Sequence, residues 1–133
     1  MATSKVTYLG DLRTSSVHLQ SGTEILSDAP VDNNGRGEAF SPTDTVANAL
    51  ASCMLTIMGI KARDMGVALE GTTAEVTKIM ATEPRRISGI KIVFDFKSDA
   101  DEKSRTILER AAMTCPVYHS LHPDIVKDIT FNW

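Results

Sequence analysis

Aromatic residues are scarce in this chain, with four Phe, two Tyr and one Trp among 133 residues. A core built from such a sequence has to rely on aliphatic side chains and on six methionines, whose unbranched thioethers fill irregular gaps. Basic runs are absent. With a formal charge of −3 and a pI near 5.5, the chain is excluded as a general nucleic-acid binder, because neutralising phosphates takes clustered Lys and Arg. Metal-ligand spacings are missing as well: no CxxC or HExxH occurs, and the three His stand apart at 18, 119 and 122. The longest apolar stretch, Val46 to Ile60, is broken by Asn48, Ser52, Thr56 and Gly59. It falls short of the about 20 residues that a membrane-spanning helix needs, so a core helix and no membrane association are expected. The opening Met-Ala-Thr-Ser-Lys carries neither an apolar segment nor an Arg-rich amphipathic pattern, which makes the cytoplasm the expected compartment. Cysteine is the last shortage. Two of them, Cys53 and Cys115, are too few for a disulfide scaffold, and in a reducing compartment they rest as thiols unless they work as a redox pair.

What is present suits one globular domain over residues 1–133: 42% of residues are hydrophobic, and a chain of this size buries roughly two-thirds of its unfolded surface. The first third reads as a β-meander, with strands over Lys5–Leu9, Ser16–Gln20 and Thr23–Leu26 separated by Gly10-Asp11 and Ser21-Gly22. Asp28 to Phe40, centred on Asn33-Asn34-Gly35-Arg36-Gly37, reads as an exposed loop. Ser41-Pro42-Thr43-Asp44 then starts a helix, with Ser as N-cap, Pro at the first helical position and an acid at the third. This helix runs to about Met65 and is apolar on nearly every face, the pattern of an enclosed helix. Two strands follow, over Ala74–Ala81 and around Ile90–Phe96, joined through Thr82–Arg86. Asp99 or Asp101 caps a further helix ending near Met113, Cys115-Pro116 opens a short helical turn, and Ile129, Phe131 and Trp133 alternate as a closing strand. The order βββ-α-ββ-αα-β is an α+β arrangement, mostly antiparallel.

The two thiols read differently from their surroundings. Cys53, between Ser52 and Met54 in the core helix, suits a packing role as readily as a chemical one. Cys115 stands at a helix N-terminus, where the macrodipole and free N–H groups favour thiolate, and His119 lies one turn on. On local physics Cys115 is therefore the more acidic thiol. Whether the two meet is open, since a bridge needs Cα atoms within about 7 Å.

Ser41-Pro42-Thr43-Asp44, running on through Ala49-Leu50-Ala51-Ser52-Cys53 and followed by Cys115-Pro116-Val117, resembles the OsmC/Ohr family of osmotically inducible and organic hydroperoxide resistance proteins. It is closest to the broad OsmC-like branch of redox proteins. The resemblance spans nearly the whole chain. It implies the OsmC-like fold, antiparallel sheets around long central helices, in an intertwined homodimer. It also implies a thiol peroxidase: Cys53 attacks an organic hydroperoxide and becomes a sulfenic acid, and Cys115 resolves it to a disulfide. This reverses the ranking by acidity. Arg36, with Arg13 in reserve, would hold the thiolate and orient the peroxide. Asp44 would stand in for the family's Glu, one position late and with a shorter arm. Met54, Met58 and Tyr118 are candidates for the apolar substrate surface, with core packing as the plainer role for all three. No metal, flavin or haem is implied, only an external dithiol of lipoyl or thioredoxin type. The alternatives are a noncatalytic OsmC-like protein that binds a hydrophobic ligand, and a redox sensor or disulfide-exchange protein.

Overall fold

The computed structural model describes every residue from Met1 to Trp133. Its element order is β1 (Ser4–Gly10), β2 (Arg13–His18), β3 (Glu24–Asp28), a 3-10 turn at Val31–Asn33, α1 (Pro42–Met65), β4 (Thr73–Ala81), β5 (Arg86–Asp95), α2 (Glu102–Ala112), α3 (Pro116–Ser120) and β6 (Val126–Asn132). The expected order βββ-α-ββ-αα-β is thus the observed one, and the α+β class with it. Contacts gather in two compact units, Met1–Val46 and Ala47–Trp133.

In the first unit, β1, β2 and β3 form an antiparallel sheet in that order. β2 begins three residues earlier than its composition suggested. The reason is a tight reversal in which Gly10, Asp11 and Leu12 all take positive φ, so that the turn closes immediately and Arg13 already pairs with Asp28. Little of this sheet is covered: β1 is exposed along almost its whole length, and Val6, Tyr8, Leu9, Ile25 and Leu26 all face solvent. The loop after β3 is pinned by Asp28 N–H to the Phe40 carbonyl, Ala29 N–H to the Leu12 carbonyl and Gly37 N–H to the Ala29 carbonyl, each at 3.1–3.2 Å. Gly35 is required here, because a Cβ at this position would lie 1.7 Å from the Ala29 carbonyl oxygen. The loop expected to be exposed from its first residue instead starts on a buried one, Asp28.

The second unit holds the core. β4 and β5 pair antiparallel while β5 and β6 pair parallel, one departure from an antiparallel reading. The crossover through α2 and α3 carries the chain back to the starting end of β5, so β6 must run alongside it. Ile90, Ile92 and Phe94 of β5 share one cluster with Leu50, Met54 and Met58 of α1, and with Leu108 and Ala112 of α2. The few aromatics are concentrated in it: Phe94, Phe96, Phe131 and Trp133 stack in sequence, Phe96 and Trp133 with centroids 3.7 Å apart.

α1 differs from its expectation in two ways. Its 24 residues extend the apolar stretch at both ends, so that by length and composition it could cross a membrane, with a mean hydropathy of 1.4 over its most apolar 18 residues; a core helix meets the same measure. Its burial is also one-sided. Ala47, Leu50, Ala51, Met54, Met58 and Ala62 are buried at i, i+3, i+4 spacing, while Asn48, Ser52, Thr56, Gly59 and Ile60 are exposed. The apolar residues on nearly every face are therefore not enclosed within a single chain.

Candidate functional site

Local sequence places both cysteines on well-defined helical positions. Cys53 lies near the middle of α1, half-buried beside the core cluster. Cys115 is the N-cap of α3, with Pro116 at the first helical position, and its Sγ accepts the Tyr118 N–H at 3.3 Å. The fold of the second unit brings the two together: the Cys53 side chain is a close neighbour of the Cys115 thiol. Both are free thiols.

Their environment reverses the acidity expected for Cys115. Burial pushes this thiol up from its ordinary value, and the neighbouring Cys53 adds to the rise, against the lowering effect of the Tyr118 and Val117 N–H groups. Cys115 is 0% exposed, and a five-residue helix supplies too small a dipole to offset the lost hydration of a thiolate. His119, the expected source of positive charge, is exposed; its ring meets Tyr118 edge-on, and its backbone N–H donates to the Cys115 carbonyl. A raised value means less thiolate at any given pH. Iodoacetamide at mildly alkaline pH should therefore label Cys53 well before Cys115, as read by peptide mass mapping, with Cys115 catching up only in denaturant; preferential labelling of Cys115 would contradict this assignment.

The other expected site residues are distributed as follows. Arg36 and Asp44 belong to the first unit. Arg36 Nη2 lies 3.5 Å from Asp11 Oδ2. The carboxylate of Asp44 accepts the Ser41 N–H at 3.0 Å while Asp44 N–H donates to Ser41 Oγ at 3.1 Å, a reciprocal capping box. Asp44 is thus engaged by the helix start. Met54 and Met58 are both 0% exposed in the core, so they offer no surface to a substrate. Tyr118 is half-buried, with Lys127 Nζ 5.1 Å over its ring. The groove of about 500 Å³ beside the C-terminal half of α1, lined by Thr56, Ile60, Arg63, Val67 and Leu69 among others, includes neither cysteine nor Tyr118.

Two residues that sequence reasoning passed over stand out, Asp28 and Glu38. Arg13, on β2, approaches both, with Nε 3.7 Å from Asp28 Oδ1 and Nη2 3.8 Å from Glu38 Oε2. The only sequence signal was a carboxylate entering a Pro- and Gly-rich loop, which reads equally as a solvated turn residue.

No group of three or more His, Cys, Asp or Glu is placed to hold a metal ion. The site can do thiol chemistry: one half-buried cysteine, and a second kept protonated beside it.

Comparison with known proteins agrees with this picture. The family model described as OsmC-like protein matches residues 35–130. A solved structure from Psychrobacter arcticus, named for osmotic stress induction and detoxification response, is 60% identical, with a TM-score of 0.96 over 99% of this chain and 96% of that one. Organic hydroperoxide resistance proteins of Legionella pneumophila and Elizabethkingia anophelis share the fold at 13% identity each. Their TM-scores are 0.76 and 0.75, over 100% and 99% of this chain and 98% and 96% of theirs. A search of curated proteins finds no significant match. With the family model covering most of the sequence and the paired thiols in place, the chain belongs to the OsmC-like family.

Proposed function

We propose that this protein is a cysteine-based peroxidase that reduces organic hydroperoxides. The reading rests on one observation above all, the adjacency of Cys53 and Cys115 within one compact unit. Cys53, as thiolate, attacks the terminal oxygen of the hydroperoxide. The O–O bond breaks, the alkoxide leaves and takes up a proton as the alcohol, and Cys53 is left as a sulfenic acid. The Cys115 sulfur then attacks the Cys53 sulfur; hydroxide leaves, takes the Cys115 proton and departs as water, and the disulfide is formed. An external dithiol of lipoyl or thioredoxin type returns both thiols and is itself oxidised. A second thiol that stays protonated until called upon suits the resolving role, because it does not compete for peroxide.

A guanidinium, from Arg36 or Arg13, supports the attacking thiolate in this reading, and Tyr118 contributes apolar surface for the alkyl group. The protein works in the reducing cytoplasm as a homodimer. The apolar side chains left exposed on β1 and β3, and the uncovered face of α1, call for a partner surface that a second copy supplies. Light scattering should accordingly give twice the chain mass.

The decisive test is thiol counting. On adding cumene hydroperoxide to the reduced protein, both thiols should disappear together, with a disulfide-linked peptide joining Cys53 and Cys115 within one chain. Retention of both thiols would remove the peroxidase reading. A second reading is a sensor that reacts once. Sustained consumption of peroxide with a dithiol present separates an enzyme from that sensor.

A further inference from the structure

Within the second unit, Lys127 places a charge on the inner face of its strand. Burial alternates along β6, and Lys127 falls on the half-buried face with Ile129 and Phe131, both of which pack against the core cluster. Its backbone is registered against Ile90 of the central strand β5, a residue with 0% exposure. β6 is an edge strand, and an inward-pointing lysine on an edge discourages pairing with another chain. That role asks nothing of where the ammonium goes. Here it has two partners, both in the segment that follows Cys115: Nζ donates to the Ile125 carbonyl at 3.1 Å, in the connection from α3 to β6, and lies 5.1 Å over the Tyr118 ring. The carbonyl fixes where the charge sits, and the ring face is what it attracts. Lys127 and Tyr118 are both half-buried, a setting in which a cation over a ring holds more strongly than in open water. α3 needs such ties. A helix of five residues does not persist by itself, so its position depends on contacts made by Val117, Tyr118 and Leu121. Tyr118 is also the residue whose N–H donates to Cys115 Sγ at 3.3 Å. The ring that Lys127 holds and the amide that holds the sulfur thus belong to one residue.

We infer that Lys127 is a positioning residue for the second half of the reaction: by holding the Tyr118 ring it ties α3 to the sheet and keeps Cys115 beside Cys53 for disulfide closure. The inference rests on the peroxidase reading above. In closure the Cys115 sulfur attacks the Cys53 sulfur, the S–S bond forms as the S–O bond of the sulfenic acid breaks, and hydroxide leaves with the Cys115 proton as water. Lys127 acts on this step through Tyr118, by raising the share of time in which the attacking geometry is available.

Closure can be timed without peroxide. With dithiodipyridine, the Cys53 thiolate attacks one sulfur of the reagent and releases a first thiopyridone; the Cys115 sulfur then attacks the Cys53 sulfur and releases a second, so the second phase of thiopyridone absorbance reports closure alone. Lys127→Met keeps an apolar stem and loses the ammonium, and should slow this phase by about fivefold. Lys127→Arg, which keeps a cation for the ring, should recover most of the rate. Tyr118→Leu should slow the second phase more than Tyr118→Phe, which keeps a ring face. The double variant Lys127→Met with Tyr118→Leu should be no slower than the slower single, because one contact is lost only once. A wild-type second phase in Lys127→Met would overturn the inference, as would losses that multiply in the double variant, or Lys127→Arg closing as slowly as Lys127→Met. A lysine that only protected the edge or stabilised the fold would show as self-association or a lower unfolding midpoint in Lys127→Met, with closure in the folded protein at the wild-type rate. Should Lys127→Met fail to fold, the Tyr118 variants decide: equal second phases in the two overturn the proposal. A wild-type protein that keeps both thiols in cumene hydroperoxide overturns the peroxidase reading and this role with it, whereas an active one whose Lys127→Met variant closes at full rate overturns this inference alone.

Discussion

Cys53→Ser should abolish hydroperoxide consumption, with a loss of at least about a thousandfold, since a hydroxyl at this position has neither the thiolate's nucleophilicity nor a base to activate it. Cys115→Ser should behave differently. The first oxidation proceeds, no disulfide follows, and the sulfenic acid on Cys53 persists long enough to be trapped by dimedone and located by mass spectrometry. The two variants together test the order of events, because each removes one sulfur from a pair that the fold holds together. Trapping on Cys115 in a Cys53→Ser protein, with peroxide still consumed, would assign the attack to Cys115. That outcome is disfavoured by the burial of Cys115, which keeps it as the thiol. It was the outcome to be expected from helix position alone.

The largest effect on stability is expected at Phe94. This side chain is 0% exposed on the central strand β5, stacked between Phe96 and Phe131 with centroids at 6.1 and 5.4 Å. Phe94→Ala removes a ring from the middle of the ladder and leaves a cavity that flanking strands cannot close, because both are held in register on either side. The cost should be about 3–5 kcal/mol, a large share of the about 5–15 kcal/mol that a domain has in total. Urea unfolding followed by Trp133 fluorescence reads this directly, since Trp133 caps the same ladder. Val126→Ala, at an exposed position on β6, should stay within about 0.5 kcal/mol of wild type and serves as the control. A small loss at Phe94 would mean that the aliphatic residues alone carry this core, as a sequence with so few aromatics first suggests.

How far the sequence can be read depends on the range of the interaction involved. The start of α1 was legible because Ser41 and Asp44 satisfy each other's backbone across three residues, and the opening of α3 because Cys115 Sγ accepts the Tyr118 N–H over the same spacing. The alternation in β5 showed its buried face for the same local reason. The parallel pairing of β6 was not legible, nor was the burial of Asp28 at the edge of a polar loop, because each depends on a segment distant along the chain. Met54 and Met58 show the ambiguity of an apolar helix: their spacing fits a core face and a ligand surface alike, and only their neighbours place them in the core.

By itself the sequence determined the kind of chemistry open to this protein: two cysteines in helical settings, no metal-ligand spacing, no basic patch, and family motifs around both thiols. The tertiary structure decided which properties those thiols have. It brings Cys53 and Cys115 together, and by burying Cys115 it overrides the helix N-terminus that would have made this residue acidic. The physical reason is one of range. A cap acts through hydrogen bonds within a single turn, whereas desolvation sums over every group that displaces water from the sulfur, and the core cluster that includes Cys115 draws on α1 and β5, distant along the chain, as well as on α2.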